Sequence, residues 1–495
     1  MNEEVGTYLG QKGYTIYKEC TSVEQQQFIR NALNVKPFVP KSPVQPPSFP
    51  IYRESNNKLY LPRHFGIENY GVPDDMRLPP GTPIDVSFNG SLRDYQENVV
   101  DIFMKTAKKN DKIGGGGLLE IPCGRGKTVI ALSIISQLKT KTLVVVHKGF
   151  LLDQWIERIA QFLPSAKIGK IQGQIIDIED KDIVIGMLQS LSMKEYPQDM
   201  FSSFGLTIVD ECHHILLEGF SRSLQRIVTK YALGLSATMQ RKDGLTKVFK
   251  MFLGEIIYKE EREKTDFVLV KAVEFKTNDA EFNETAHDYR GNPAYSTMIT
   301  KLCSYSHRSE FILKVLKKEL QEKPGQQVMI LAHNKNLLVY LFKAIEHRNI
   351  ATVGYYVGGM KSKDLKESEG KNVIIATYAM AAEALDIKTL TTLILATPRT
   401  DVTQAVGRIL RVKHDRPLVI DVLDSHDVFQ RQWAKRRKFY EKNNYKIMHT
   451  DSNKYELDKW ETLYEPGQKT AKGKRSASSG GKQTSPIKGK CMIQL

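Results

Sequence analysis

Residues 118–138 read Leu-Leu-Glu-Ile-Pro-Cys-Gly-Arg-Gly-Lys-Thr-Val-Ile-Ala-Leu-Ser-Ile-Ile-Ser-Gln-Leu, and this run decides the fold. A short apolar strand enters a glycine turn, and an apolar helical stretch leaves it. At such a helix start the backbone N–H groups lack internal partners, and the helix dipole adds partial positive charge, so the turn suits a phosphate. Cys123, Gly124, Arg125 and Gly126 form the cradle. Lys127 is placed to meet the β and γ phosphates of a nucleoside triphosphate, and the Thr128 hydroxyl to ligate Mg²⁺. Ile121 stands where the generic loop pattern has its first glycine.

Outward from this loop the texture is uniform. LLEI, TLVVVH, DIVIGM, LTIVDE and ALGLSAT are short apolar runs, each followed by an amphipathic stretch. Such alternation predicts an α/β fold, a parallel sheet with helical crossovers. After a polar stretch near 260–308 the pattern restarts with FVLVKAVEF, QVMILAH, ATVGYYV, NVIIAT, TTLILAT and PLVIDV. The expected organisation is an accessory region over 1–85, α/β blocks over 86–262 and 263–425, a basic helical extension over 426–465, and a disordered Lys/Ser/Gly tail over 466–495. In the accessory region KPFVPKSPVQPPSFPIY is expected to be an extended linker or arm, and NKLYLPRHFG a strand of a small domain.

The formal charge is +16, and seven of the basic residues fall in the acid-free stretch PGQKTAKGKRSASSGGKQTSPIKGK. Excess positive charge attracts polyanions, so nucleic acid is favoured as a partner, with solubility as the bland alternative. QRQWAKRRKFY (430–440) interleaves basic and aromatic residues. That suits nucleic acid, but a terminal helix packing Trp433 and Phe439 beneath a solvated basic face is the favoured reading. No apolar run is long enough for a membrane span, and the first residues lack the pattern of a secretory signal. Five scattered cysteines without a CxxC pair predict reduced thiols, hence an intracellular, reducing compartment.

LTIVDECHH places Asp210 and Glu211 at the end of a buried strand. There one carboxylate can hold Mg²⁺ through water while its neighbour polarises the attacking water. His213 and His214 find no third ligand at metal spacing.

Taken together these motifs resemble a superfamily 2 helicase of the Asp-Glu-x-His type, and the rest of that family's set appears in order between Ser91 and Asp424. The resemblance implies two tandem RecA-like domains, ATP as cofactor, and an ATP-dependent helicase activity. Leu92-Arg93-Asp94-Tyr95-Gln96 resembles the element whose glutamine reads adenine. His213, Ser236 and Thr238 match residues that couple nucleotide state to the grip on nucleic acid. Gln404, Arg408 and Arg411 match QxxGRxxR, whose arginines face the transferred phosphoryl group. Thr377 matches a backbone-binding threonine, and Asp386 a ribose contact, with Ala384 where the family has glycine. Lys148, Gln154 and Gln189 are candidate nucleic-acid contacts.

Within the superfamily, Ser236-Ala-Thr-x-x-Arg241-Lys242-Asp243-Gly244 is similar to the xeroderma pigmentosum B branch, and the overall plan to stand-alone helicases of large DNA viruses, including the poxvirus transcript-release helicase. That likeness implies 3′-to-5′ action, DNA favoured over RNA, transcription machinery as partner and, for a viral chain, the host cytoplasm and the virion. A duplex translocase that does not unwind, an RNA helicase, and an inactive nucleic-acid scaffold are the alternatives. Intact Lys127, Glu211, Arg408 and Arg411 speak against the scaffold.

Overall fold

The computed structural model describes residues 6–467, apart from 39–44, 123, 198, 213–216, 240–243, 261–266, 384–386, 388 and 411–416. Two eight-stranded sheets dominate it. The first runs Ile175–Asp177, Ile168–Gln172, Ile183–Met187, Thr142–Val146, Leu206–Val209, Tyr231–Ser236, Gly115–Glu120, Ile256–Lys259. Every pairing in it is parallel except the short hairpin between the first two. Its central strands are buried along their length, which is why they appear in the sequence as unbroken apolar runs. Strands Ile168–Gln172 and Ile256–Lys259 were not among the expected ones; their half-polar sequences carry no such run.

The second sheet runs Val353–Tyr356, Val373–Thr377, Gln327–Ala332, Leu390–Leu395, Leu418–Asp424, Leu269–Phe275, Lys446–Asp451, Glu461–Tyr464. Here only the last pairing is antiparallel. The final two strands correct the expectation for 426–465. The helix Asp427–Lys442 is present, but the segment then returns to pair with Leu269–Phe275 and completes the sheet. The helix faces inward through Trp433, Arg436 and Tyr440, all buried. Arg436 donates to both carboxylate oxygens of Asp421 at 2.7 and 2.9 Å, and the Tyr440 hydroxyl adds a third bond at 3.1 Å. Arg308 pairs with Asp424 in the same two-pronged way, at 2.6 and 2.8 Å. Both acids lie on the strand Leu418–Asp424, and each buried carboxylate is matched by its own buried arginine.

The accessory region is a five-stranded sheet, ordered Arg53–Glu54, Lys58–Leu61, Gly13–Tyr17, Thr7–Gly10, Asp75–Met76, with helices Val23–Ala32 and Arg63–Tyr70. Its apolar residues and those of the first large sheet form one continuous cluster. Arg63 is buried and donates to the carbonyls of Ile113, Thr229 and Lys230. With no carboxylate beside it among the described residues, burial pulls its pKa down to about 10. The proline-rich segment is only partly an exposed arm. Phe49–Pro50 pairs with Asn34–Val35, and Ile51 is buried.

Candidate active site

In an open parallel sheet, ligands gather beyond the carboxyl ends of the strands. The candidate residues of the first block follow that rule. Lys127 comes after Gly115–Glu120, Lys148 after Thr142–Val146, Gln189 after Ile183–Met187, and Asp210 and Glu211 after Leu206–Val209.

The phosphate loop enters the helix Lys127–Leu138 through Gly124 and Gly126, whose φ angles of 83° and 79° are left-handed. Gly126 is doubly constrained, because a Cβ there would also collide with the Gln96 amide nitrogen. Gln96 is buried against the loop. Its Nε2 donates to the Arg125 carbonyl at 3.2 Å, and its Oε1 accepts from the Arg93 backbone at 3.0 Å. These bonds use one N–H and one lone pair of a group that has two of each, so an adenine edge can still be read in two-pronged fashion. The Tyr95 hydroxyl also donates to the Arg125 carbonyl. The Arg125 guanidinium lies 4.2 Å over the Tyr95 ring, and its Nε donates to Glu260 Oε1 at 2.6 Å. The loop's arginine side chain is thus engaged with protein groups.

Asp210 extends the ladder of its strand by donating its N–H to Val145 O at 3.0 Å. Its side chain is buried. Oδ2 accepts from Trp155 Nε1 at 2.9 Å, and Oδ1 from the Glu211 N–H at 2.9 Å. Burial, reinforced by the neighbouring Glu211 charge, lifts its pKa to about 6. Glu211 sits at φ 48°, in the left-handed region that residues other than glycine seldom adopt. That turn brings its Oε1 to 2.8 Å from Lys127 Nζ. A cation near Asp210 would offset the burial of its charge, and Thr128 opens the first turn of the neighbouring helix. No group of three or more His, Cys, Asp or Glu gathers among the described residues. The Thr128 hydroxyl and the Asp210 carboxylate are oxygen donors of the kind that suit Mg²⁺, which keeps several water or phosphate oxygens of its own.

Ser236 and Thr238 form a closed turn. The Ser236 hydroxyl donates to Thr238 O at 2.6 Å and accepts from Thr238 N at 3.2 Å. Gln189 Nε2 donates to His147 O at 2.9 Å, tying two strand ends together. Lys148 is partly buried, which lowers its pKa, and it caps the helix Gly149–Phe162 that also carries Gln154 and Trp155. Phe150, two residues on, packs against apolar clusters of both large sheets.

In the second block Thr377 ends its strand, and its hydroxyl accepts from Met380 N at 3.5 Å. Gln404 and Arg408 lie on the helix Thr403–Arg408. Arg408 is buried, and its Nε donates to Ala381 O at 2.9 Å. The helix ends there. Cys123, His213, Asp386 and Arg411 lie outside them.

Tyr95, Trp155 and Glu260 were missed as site residues. Tyr95 and Trp155 sit inside stretches already singled out, RDYQ and LLDQW. Trp155 shares its buried helix face with Leu151, Leu152 and Ile159, so its spacing looked like ordinary core. Glu260 had no local signal.

Residues 89–241 match the family described as "Type III restriction enzyme, res subunit". A protein of Acanthamoeba polyphaga mimivirus, provisionally named an ATP-dependent RNA helicase, is 34% identical over 93% of this chain and 90% of its own length. A helicase, likewise provisionally named, of Invertebrate iridescent virus 6 is 26% identical over 81% of this chain and 93% of its own. The DNA 3′-5′ translocase XPB2 of Sulfurisphaera tokodaii is 24% identical over 77% and 91%. Likeness of that degree, running nearly end to end, is kinship: the chain belongs to the superfamily 2 helicases, enzymes that spend ATP on nucleic acid.

Proposed function

We propose that this helicase moves along one strand of DNA in the 3′-to-5′ direction, and that strand separation or displacement of a bound transcript or protein follows from the movement. The observation that carries the chemical half is the cluster of Lys127, Glu211 and buried Asp210 beyond the strand ends. In this reading Lys127 neutralises phosphate charge, and Thr128 and Asp210 hold Mg²⁺. When bound, that ion screens the charge that builds up on the transferred phosphoryl group. Glu211 accepts the proton of the attacking water. Gln404, Arg408 and Arg411 supply the other wall from the second sheet, and Arg411 stabilises charge in the transition state.

Gln96 and Arg93 position the base, with Asp386 on the ribose. Lys148, Gln189 and Thr377 lie at strand or helix ends, where a phosphate backbone would cross both sheets, and Gln154 lies within the helix that Lys148 opens. His213, Ser236 and Thr238 relay closure between the two sites. Support for DNA and for 3′-to-5′ polarity comes from the named activity of the Sulfurisphaera relative, and transcription machinery as a partner follows from the motif likeness to the xeroderma pigmentosum B branch. The name of the mimivirus relative favours RNA as a second reading.

The test is ATP turnover with single-stranded DNA, duplex DNA, single-stranded RNA or no polymer, beside displacement of a strand or a triplex third strand. Stimulation by single-stranded DNA and displacement of a 3′-tailed duplex are expected. Stimulation by RNA alone would replace DNA as the track. Third-strand displacement without unwinding would make it a duplex translocase.

A further inference from the structure

The accessory sheet has two unlike faces. Leu9, Tyr14, Ile16, Leu59 and Leu61 turn into the core. On the other face Tyr8 stands opposite Thr15, Thr15 opposite Tyr60, and Tyr17 opposite Lys58. Lys58 Nζ lies 5.2 Å from the Tyr8 ring and 4.5 Å from the Tyr17 ring. The Arg77 guanidinium is 4.1 Å over Tyr8, and Lys12 Nζ is 5.2 Å from the Tyr60 ring. Tyr8, Tyr60, Lys12, Lys58 and Arg77 line a concavity of about 460 Å³, and among the described residues no acidic side chain lines it. Asp75 is nearby, engaged by Arg77 Nε at 2.6 Å.

We propose that this face binds single-stranded nucleic acid, as a second grip outside the two motor domains. It rests on the reading that the chain acts on nucleic acid. Tyr8 and Tyr60 stand two strands apart, about 10 Å, on a sheet face where a splayed strand can lay its bases on the rings. Each cation now sits over a ring, held by the ring's quadrupole. When a base takes the ring face, the long flexible stem of Lys12, Lys58 or Arg77 lets the charge swing to the adjoining phosphate, so the ring's partner and the phosphate's partner are the same side chain. An acidic peptide would satisfy the cations but leave the aromatic faces unused, and a duplex would keep its bases stacked out of reach. Charge and aromatic planes together therefore favour a single strand.

The full chain is titrated with a labelled single-stranded oligonucleotide across a salt series. For the combined variant Lys12→Ala/Lys58→Ala/Arg77→Ala, the slope of log K against log salt is expected to flatten by about 2, three phosphate contacts at about 0.7 each. Tyr60→Ala should weaken binding about tenfold, the loss of one stacked base. Saturated nucleic-acid-stimulated turnover should stay at the wild-type level in both. On the unmodified chain, photocrosslinks from 5-iodouracil should map to Tyr8 or Tyr60, a readout that does not depend on how any variant folds. Crosslinks confined to the two large sheets would overturn the proposal. So would an unchanged slope and affinity in folded variants, or losses seen only with duplex or only with a protein partner. Wild-type chain that binds no nucleic acid and shows no stimulation would sink the functional reading as well, which separates the two failures.

Discussion

Lys127 Nζ and Glu211 Oε1 stand 2.8 Å apart, so the phosphate loop and the end of the strand Leu206–Val209 are linked by an ion pair. Both groups are largely buried, at 10% and 20% side-chain exposure, so the pair is more than a screened surface contact. A triphosphate arriving at the loop competes with Glu211 for the same ammonium. Lys127→Ala should therefore abolish turnover. Glu211→Gln should lower it by about 10² or more, the range for a lost general base, while ATP binds at least as tightly because its competitor is gone. Stopped-flow binding of a fluorescent ATP analogue alongside phosphate release measures both. Weaker nucleotide binding in Glu211→Gln would count against the competition.

The indole N–H of Trp155 donates to Asp210 Oδ2 at 2.9 Å. Trp155→Phe keeps an aromatic ring in the core but removes the N–H and part of the indole, leaving Oδ2 of a buried acid short of one donor. A loss of about 2 kcal/mol in stability is expected for a hydrogen bond to a charged group. The more telling readout is the Mg²⁺ concentration for half-maximal turnover, which should rise about tenfold, as happens when a group that orients a metal ligand is removed. A Mg²⁺ curve identical to wild type would leave Trp155 as core packing alone.

Arg125 and Glu260 join the phosphate loop to the end of the edge strand Ile256–Lys259, from which the chain runs on towards the second sheet. Glu260 also donates its backbone N–H to Glu120 O at 2.9 Å, at the foot of the loop strand. Glu260→Ala should leave basal turnover near normal and reduce its stimulation by nucleic acid. The double variant with Arg125→Ala should be no worse than either single one, because both remove the same contact. Additive losses would show that the two residues act apart.

Arg408 and Arg411 should separate in kind. Arg408 is buried on the Ala381 carbonyl, so Arg408→Ala should cost about 2 kcal/mol of stability, seen as a lower unfolding midpoint, and should lower turnover as well. Arg411→Ala should leave the midpoint and ATP affinity alone and cut turnover by roughly 10³ or more, the scale of an arginine that acts in the transition state. Arg411→Lys should restore little, since an ammonium lacks the planar two-pronged geometry. Thermal unfolding and single-turnover kinetics on the same preparations decide between these profiles.

What could be read in the chain beforehand was what is local. Lys127, Thr128, Asp210 and Glu211 announce themselves because their neighbours in sequence are also their neighbours in space. The central strands do so because burial on both faces demands continuous apolar residues. Contacts that span the chain left no mark. Trp155 meets Asp210 across 55 residues, Arg125 meets Glu260 across 135, and Arg308 meets Asp424 across 116. Of the accessory sheet only the strand within NKLYLPRHFG was expected, and the rest was hidden for another reason. Its strands are two to five residues long, and its outer face alternates aromatic with basic residues, so neither length nor apolar period stands out. The basic helix was legible in its packing through Trp433, but Arg436 counted there as one of the solvated charges and is instead folded inward onto Asp421.

That last pairing sets where the molecule can be cut. The recognisable motifs stop near Asp424, and a chain ended there would look complete by its sequence. It would lose Arg436, leaving Asp421 with its charge uncompensated inside the sheet, a change that typically destabilises by about 3–5 kcal/mol. It would also lose Lys446–Asp451, stripping one side of Leu269–Phe275 and turning an interior strand into a long apolar edge. Bare edges of that kind recruit strands from other molecules. A shortened second domain would come out as aggregate, and the shortest piece of it to behave as a monomer should end beyond Tyr464.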